Sequence, residues 1–486
     1  MSDSGRRNDW LLLAALSVIL LAVKAWLVHA AGVDLHYDEA QYWEWSRRLD
    51  WSYYSKGPLI AWLIALSEGL FGHGAWQVRL PAWLAHCGLL FLVFAFARDV
   101  WGTRRAAWWA VIIFLFTPEY FTLGLVMTTD IWLFLCWTWG LWAAYRALTN
   151  DRPASWYEAG VAVGIGTLTK LSIGLLPAGL GIAVLLNRRW HHHLKSHQLW
   201  IGLLIMALLM SPLLWWNAEH GWVMFHHEQG HFGHIHWSLG RGLYFLAGQT
   251  MVLSPLVVLV AFSVLRHRPA PAGQRLLWGL SLGWIAFFFL KALTAKVEVN
   301  WPAPSYIGLV ILFAGHVHLL PRWKRRTLFA GFGFSLAAMT LIYFLYDFGF
   351  TNRQDPFKDT KAWRGPVAAL SRETPSVDFI LTPNYKIAAE VAFYWPHRLP
   401  VYVAGSTGRR FNQHDLWPSI NREAGHDGLW VSPSPGAPAE LARAFATCTP
   451  LPPVQAVTPD GNTLRTLYAR HCVGYKPIVW PKPTTY

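Results

Sequence analysis

The stretch Trp10-Leu-Leu-Leu-Ala-Ala-Leu-Ser-Val-Ile-Leu-Leu-Ala-Val-Lys-Ala-Trp-Leu-Val-His-Ala30 decides what kind of molecule this is. An apolar run of about 20 residues can cross the roughly 30 Å hydrocarbon layer of a bilayer as a helix. Arg6 and Arg7 precede it and no small-residue cleavage site follows, so it reads as a retained first span rather than a removed leader. Similar runs recur as far as Tyr346. Of the 486 residues, 54% are hydrophobic and 14% charged, far more apolar surface than a water-soluble core needs.

The formal charge of +14 would suggest a nucleic-acid partner in a soluble protein. Here the basic residues collect in short loops between apolar runs, so they report orientation, and no nucleic acid is expected. Arg6 and Arg7, Arg98, Arg104 and Arg105, Arg188 and Arg189, Arg266 and Arg268, and the run Arg322 to Arg326 mark cytoplasmic loops. The spans fall at 10–30, 77–97, 105–127, 130–148, 156–170, 171–187, 199–217, 241–265, 275–293, 301–319 and 327–346, about eleven in all. From a cytoplasmic start, an odd number puts 31–76, 218–240, 294–300 and everything after 347 on the outer side. The 57–71 segment is too short to span and is expected as a helix lying in the outer interface.

The organisation expected is a polytopic all-α membrane domain, 1–346, with outer-face juxtamembrane helices in 31–76, followed by a soluble outer α/β domain, 347–486. In the latter, β-like segments at Val377 to Leu381 and Leu399 to Val403 alternate with helical patterning at Tyr385 to Tyr394 and Ala437 to Ala446. Cys448 and Cys472 lie there, in a compartment where a disulfide can form, whereas Cys87 and Cys136 sit within spans as small apolar residues. No phosphate-binding glycine loop is present, which argues against a nucleotide-driven pump.

Chemistry in such a chain shows as polar groups where lipid would not otherwise tolerate them. The first outer loop reads Asp34-Leu-His-Tyr-Asp38-Glu39-Ala-Gln-Tyr-Trp and then Trp51-Ser-Tyr-Tyr-Ser-Lys56-Gly-Pro58. Carboxylates at headgroup level are disfavoured beside anionic lipid, so Asp38 and Glu39 are candidate catalytic groups. Asp38 is the candidate general base that takes the proton from an acceptor hydroxyl as it attacks an anomeric carbon. The commonplace alternative is that both acids cap the helix Tyr37 to Arg48. Asp130, in Met127-Thr-Thr-Asp-Ile-Trp, is a second candidate, because carboxylates at membrane depth are rare and usually functional; the alternative is that Thr128 or Asp130 caps the fourth span. Lys56 and Arg79 are candidate ligands for a lipid phosphate; the alternative for each is snorkelling to headgroups.

These stretches, with Val78-Arg79-Leu-Pro and Thr128-Thr-Asp130, resemble the bacterial branch of the protein O-mannosyltransferase family, glycosyltransferase family 39. Its relatives include the aminoarabinose transferase of lipid A and lipopolysaccharide-core galacturonosyltransferases. In the tail, Tyr385, Phe393-Tyr394 and Gly408-Arg-Arg-Phe-Asn-Gln-His-Asp-Leu-Trp417 are similar to the soluble domain of uncharacterised members. The resemblance implies the GT-C membrane fold and an inverting hexosyl or pentosyl transfer from a polyprenyl-phosphate sugar. The acceptor would be a membrane glycolipid, lipid A, lipopolysaccharide or protein hydroxyl on the periplasmic face of the bacterial inner membrane. It matches Asp38 and Asp130 to the family's acids, Lys56 to a lysine facing the donor phosphate, and Arg79 to a basic position nearby. The aminoarabinose enzyme has Glu just before that lysine; this chain has Ser55, so a metal held by that glutamate is not carried over.

His220, His226, His227, Glu228, His231, His234 and His236 crowd one outer loop. Imidazoles beside a carboxylate are divalent-metal ligands by type, and His226, His227, Glu228 and His231 are the candidates; acceptor contact and pH sensing are rival uses. The spacing matches no zinc signature and no cofactor is required. The loop Lys291-Ala-Leu-Thr-Ala-Lys296-Val-Glu298-Val-Asn300-Trp301 closes the outer ring. There Lys296 is a third candidate for the carrier phosphate, with Glu298 and Asn300 beside it. A lipid-linked saccharide flippase or polymerase, or a transporter, shares the many spans. A transporter, however, more often places its charges at mid-membrane and shows repeated halves. Neither the sugar nor the acceptor is legible.

Overall fold

The computed structural model describes residues 3–30, 32–230, 236–267, 269–347, 357–404, 410–458 and 461–483. Helices occupy every apolar segment predicted above. They are Asp3–Ala30 (α1), Tyr37–Ser46 (α2), Leu59–Phe71 (α3), Ala75–Trp101 (α4), Arg104–Leu115 (α5), Pro118–Leu123 (α6), Thr129–Thr149 (α7) and Ser155–Thr167 (α8). Then come Leu175–Leu186 (α9), His197–Glu219 (α10), Val223–Gly230 (α11), Leu239–Val252 (α12), Pro255–Leu265 (α13), Ala272–Thr294 (α14), Ala303–Ala314 (α15) and Arg322–Asp347 (α16).

Among the described residues, five helices are long and apolar enough to cross a membrane: Arg7–Ala30, Ala75–Trp101, His197–Glu219, Ala272–Thr294 and Arg322–Tyr346. Two bent pairs bring the number to seven. The eleven predicted spans thus resolve into five to seven of full spanning character; the others are shorter, interrupted or, as in α7, rich in tryptophan and polar groups. The interruptions have local causes. The predicted 241–265 span turns by 99° between α12 and α13, where Ser254 takes φ 72° and Pro255 opens the next helix. Proline disfavours helical geometry in the residue before it and suits the first helical position itself. Thr117-Pro118 breaks 105–127 in the same way. The 57–71 segment is the short apolar helix α3.

One apolar core joins α1, α4, α5, α7, α8 and α15. Gly160 and Gly202 let α8 and α10 approach closely: a Cβ on Gly160 would lie 2.1 Å from the Gly202 carbonyl oxygen. Such contacts are how helices associate where lipid removes the hydrophobic drive between them.

Beyond α16 the chain forms Arg364–Glu373 (α17), Phe379–Thr382 (β1), Tyr385–Tyr394 (α18), Val401–Val403 (β2), Gly428–Ser432 (β3), Ala439–Ala444 (α19), Phe445–Pro450 (β4), Val454–Val457 (β5) and Thr463–Tyr475 (β6). The sheet order is β2-β1-β3-β6-β4, with β5 also paired to β6. β1 runs parallel to both β2 and β3, and β6 antiparallel to its neighbours. Cys448 and Cys472 face each other across β4 and β6 and are joined as a disulfide.

Helix α18 couples this sheet to the helices. Ala389 and Phe393 belong to the helical core, the Tyr394 hydroxyl accepts from Leu35 N at 2.7 Å, and Asp34 Oδ2 accepts from Trp363 N at 2.8 Å. The segment between α1 and α2 is therefore clamped between the helices and the sheet.

Candidate functional site

The start of α2 separates the two adjacent acids. His36 is the N-cap, its ring accepting from Asp38 N, while the Glu39 carboxylate accepts from His36 N at 3.0 Å and completes a capping box. Glu39 also accepts from Arg79 Nε at 2.8 Å, Arg79 Nη2 at 2.7 Å and Met127 N at 2.8 Å. Burial would raise its pKa, but the Arg79 guanidinium and these hydrogen bonds hold it below the ordinary carboxylate value. Arg79 spends its remaining donors on the Val33 and Asp34 carbonyls. Both side chains are buried, 1% and 0% exposed, and neither lines the cavity described next.

One residue earlier on the helix, Asp38 turns the other way. It opens into a cavity of about 530 Å³ that Asp130, Lys56, Lys170, Lys291, Glu228 and Asn300 also line. Its side chain is 41% accessible through that opening. The enclosing walls nonetheless withhold bulk water and raise its pKa, against the opposing pull of His36, Lys386 and Lys56.

Asp130, at the start of α7, is held by both oxygens: Oδ1 accepts from Lys170 Nζ at 2.9 Å and Oδ2 from Asn300 Nδ2 at 3.0 Å. Lys56 Nζ lies 3.4 Å from Glu228 Oε1. Burial and the nearby Lys170 lower the Lys56 pKa, opposed by Glu228 and Asp130. The two lysines meet because Gly57 has no side chain. A Cβ there would sit 2.2 Å from the Leu168 carbonyl oxygen, the atom that accepts from Leu59 N. Both ammonium groups line the cavity beside carboxylates, and cations so placed can pair with an anion.

The structure thus brings Asp38, Asp130, Lys56, His227, Glu228, Glu298 and Asn300 to one cavity. Glu39 and Arg79 lie behind its wall as a mutually satisfied pair, because a guanidinium and a carboxylate both stripped of water bind each other first. Lys296 also lies outside it, 82% exposed and paired with Glu298 at 2.7 Å. His226 does not line it, and His231 and His234 lie outside the described residues. Among the described residues, no group of three or more His, Cys, Asp or Glu side chains could hold a metal ion.

Lining residues that the sequence does not single out as site residues include Lys170, Lys291, Tyr385 and Arg410. Lys170 had a signal, a lone cation between two apolar runs. Tyr385 and Arg410 arrive from the sheet region, and no local pattern announces a contact such as that of Arg410 with His227, 183 positions away. The Lys291 ammonium stacks over Trp301 at 4.6 Å.

Residues 55–216 match the family model described as dolichyl-phosphate-mannose-protein mannosyltransferase. Over 319 residues the chain is 28% identical to the lipid A galacturonosyltransferase RgtD of Rhizobium johnstonii, covering 63% of this chain and 66% of that protein. Over 200 residues it is 29% identical to the undecaprenyl phosphate-α-4-amino-4-deoxy-L-arabinose arabinosyl transferase of Pectobacterium carotovorum, covering 38% and 35%. The matched part therefore spans just under two thirds of the first relative and about a third of the second. The crystal structure of ArnT from Cupriavidus metallidurans bound to undecaprenyl phosphate superposes with a TM-score of 0.70 at 17% identity, covering 96% of this chain and 98% of that one. The resemblance carried by the motifs is borne out, and the fold is the GT-C fold with a small C-terminal sheet region.

Proposed function

We propose that the chain is an integral-membrane glycosyltransferase that moves a sugar from a polyprenyl-phosphate carrier to a cell-envelope acceptor with inversion at the anomeric carbon. The observation that carries this reading is the single cavity in which Asp38 and Asp130 stand with Lys56, Lys170 and Lys291. It joins a carboxylate of raised pKa to a cation cluster. The similarity to a lipid A galacturonosyltransferase makes a glycolipid the leading acceptor. The cavity would face the periplasm, with the N-terminus cytoplasmic and 347–486 as a soluble outer domain over the membrane domain 1–346.

In this mechanism the donor's prenyl tail stays in lipid while its phosphate rests against the lysines. Asp38 takes the proton of the acceptor hydroxyl as that oxygen bonds to the anomeric carbon. The bond from that carbon to the phosphate oxygen breaks, and its electron pair leaves with polyprenyl phosphate. Negative charge grows on the leaving phosphate, so fixed ammonium groups stabilise the transition state more than the ground state. Asp130, held by Lys170 and Asn300, orients the lysine and the sugar. Glu39 and Arg79 act through position, fixing α2 against the turn that carries Asp130. Lys296 stands outside the cavity lining, paired with the cavity residue Glu298.

The test is sugar transfer by purified protein in lipid, with radiolabelled polyprenyl-phosphate sugars and glycolipid acceptors, comparing wild type with Asp38→Asn. Transfer by wild type that a folded Asp38→Asn protein has lost supports both class and base. A fully active variant removes Asp38 from the chemistry, and a wild type inert with every donor removes the transferase reading.

A further inference from the structure

One motif stands apart from the mechanism just described. The stretch Arg410 to Trp417 follows β2, well away from the membrane helices in sequence, yet Arg410, Phe411 and Asn412 line the same cavity as Asp38. The loop is pinned. Gln413 Oε1 accepts from Tyr54 N at 2.7 Å, Asn412 and Asp415 cap each other's backbone, and the Arg48 guanidinium lies 4.4 Å from the centre of the Trp417 ring. Arg410 is therefore carried on a fixed support, and its Nη2 lies 2.6 Å from His227 Nδ1, a nitrogen that also stands 3.0 Å from the Tyr54 hydroxyl.

Nδ1 has one lone pair, so an imidazole accepting there carries its proton on Nε2, beside the five-donor guanidinium. Such a planar fork matches the paired oxygens of a carboxylate or phosphate. Lys291 lies in the last turn of α14, Lys170 follows α8 and Lys56 lies in the loop before α3, and a lipid carrier's phosphate would lie among them. Arg410 comes instead from the sheet region and meets groups on the side of the cavity that region closes.

We propose that Arg410, backed by His227 and Tyr54, forms a second oxyanion subsite in this cavity, separate from the donor-phosphate lysines, for a carboxylate or phosphate monoester of the reacting saccharides. The inference rests on the transferase reading and deepens it. The anion has two sources: a uronic carboxylate on the transferred sugar, or a phosphate on the glycolipid acceptor.

The experiment measures KM and kcat for wild type, Arg410→Gln and Arg410→Lys with uronosyl and matched hexosyl polyprenyl-phosphate donors. Each donor is paired with phosphorylated and dephosphorylated glycolipid acceptors, and folding is followed by thermal unfolding in detergent. Losing a charge-assisted pair raises KM for the anionic substrate by about tenfold to a hundredfold, and Arg410→Lys, which keeps charge but not the fork, falls between. A wild-type preference for the uronosyl donor that Arg410→Gln abolishes assigns the subsite to the sugar. A preference for the phosphorylated acceptor that it abolishes assigns the subsite to the acceptor. If Arg410→Gln does not fold, Arg410→Lys carries the same comparison. Folded variants that keep wild-type discrimination in both pairs overturn the subsite alone. A wild type that consumes no polyprenyl-phosphate sugar overturns the transferase reading and the subsite with it, and its own inertness tells that case apart.

Discussion

Replacing Glu39 by Gln tests whether this acid acts by position or by chemistry. The substitution removes the charge from a carboxylate that accepts four hydrogen bonds, two of them from Arg79 at 2.8 and 2.7 Å. It leaves a fully buried guanidinium without its counter-charge. Breaking a buried pair on one side costs about 3–5 kcal/mol. In a chain of this size that is a fall of about 5 °C in the thermal midpoint in detergent at neutral pH. Because the folded pKa of Glu39 is depressed, its contribution is complete above the ordinary carboxylate range. It is lost as pH falls through the depressed value, so the gap between wild type and variant closes in acid. kcat falls as well, since Gln keeps a single acceptor oxygen, so either Met127 N or His36 N loses its partner and the joint between α2 and the turn to Asp130 loosens. The decisive variant is Glu39→Gln combined with Arg79→Met, which removes both charges and recovers most of the lost stability. Activity that returns with stability supports a positioning role. A double variant that is stable but dead, or a single variant that melts like wild type, refutes this account.

Asp38→Asn lowers kcat by about 10²–10⁴-fold, the usual worth of a general base, with an unchanged melting curve. The acid limb of the wild-type pH–rate profile lies above the ordinary aspartate range, because a base of raised pKa must be deprotonated to act. The alkaline limb reports Lys56, whose lowered pKa discharges the phosphate seat as pH rises; the full profile checks both. Gly57→Ala forces the 53–58 loop off Leu168 and separates Lys56 from Lys170, and kinetics show a raised donor KM together with a lowered kcat. Replacing Cys448 and Cys472 by Ser opens a loop of sequence separation 24. That costs about 3 kcal/mol, read as earlier thermal unfolding of the sheet region in non-reducing conditions.

The membrane helices were legible because hydropathy is local: a run such as Trp10 to Ala30 declares itself without reference to the rest of the chain. So were the β-like segments near Phe379 and Val401, bounded by prolines and polar residues. The breaks at Thr117 and Ser254 were written in the prolines that follow them, yet a count of apolar residues passes over them. Asp38, Asp130 and Lys56 were marked by their charge beside apolar runs, because lipid makes any buried charge conspicuous.

What no local pattern could supply was partnership. Asp38 and Glu39 are adjacent and chemically alike, and only the direction of each side chain from α2 sends one into the cavity and the other onto Arg79. Lys170 joins Lys56 because Gly57 admits the Leu168 backbone, and Arg410 reaches the cavity because the loop after β2 is pinned to Tyr54. The sequence by itself determined a membrane protein with acidic and basic loops between its apolar runs, since transfer into lipid depends on composition over a short window. Which of those charges share a cavity was decided by the tertiary structure, since a charge in low dielectric takes its partner from whatever the fold brings within about 4 Å, however distant in the chain.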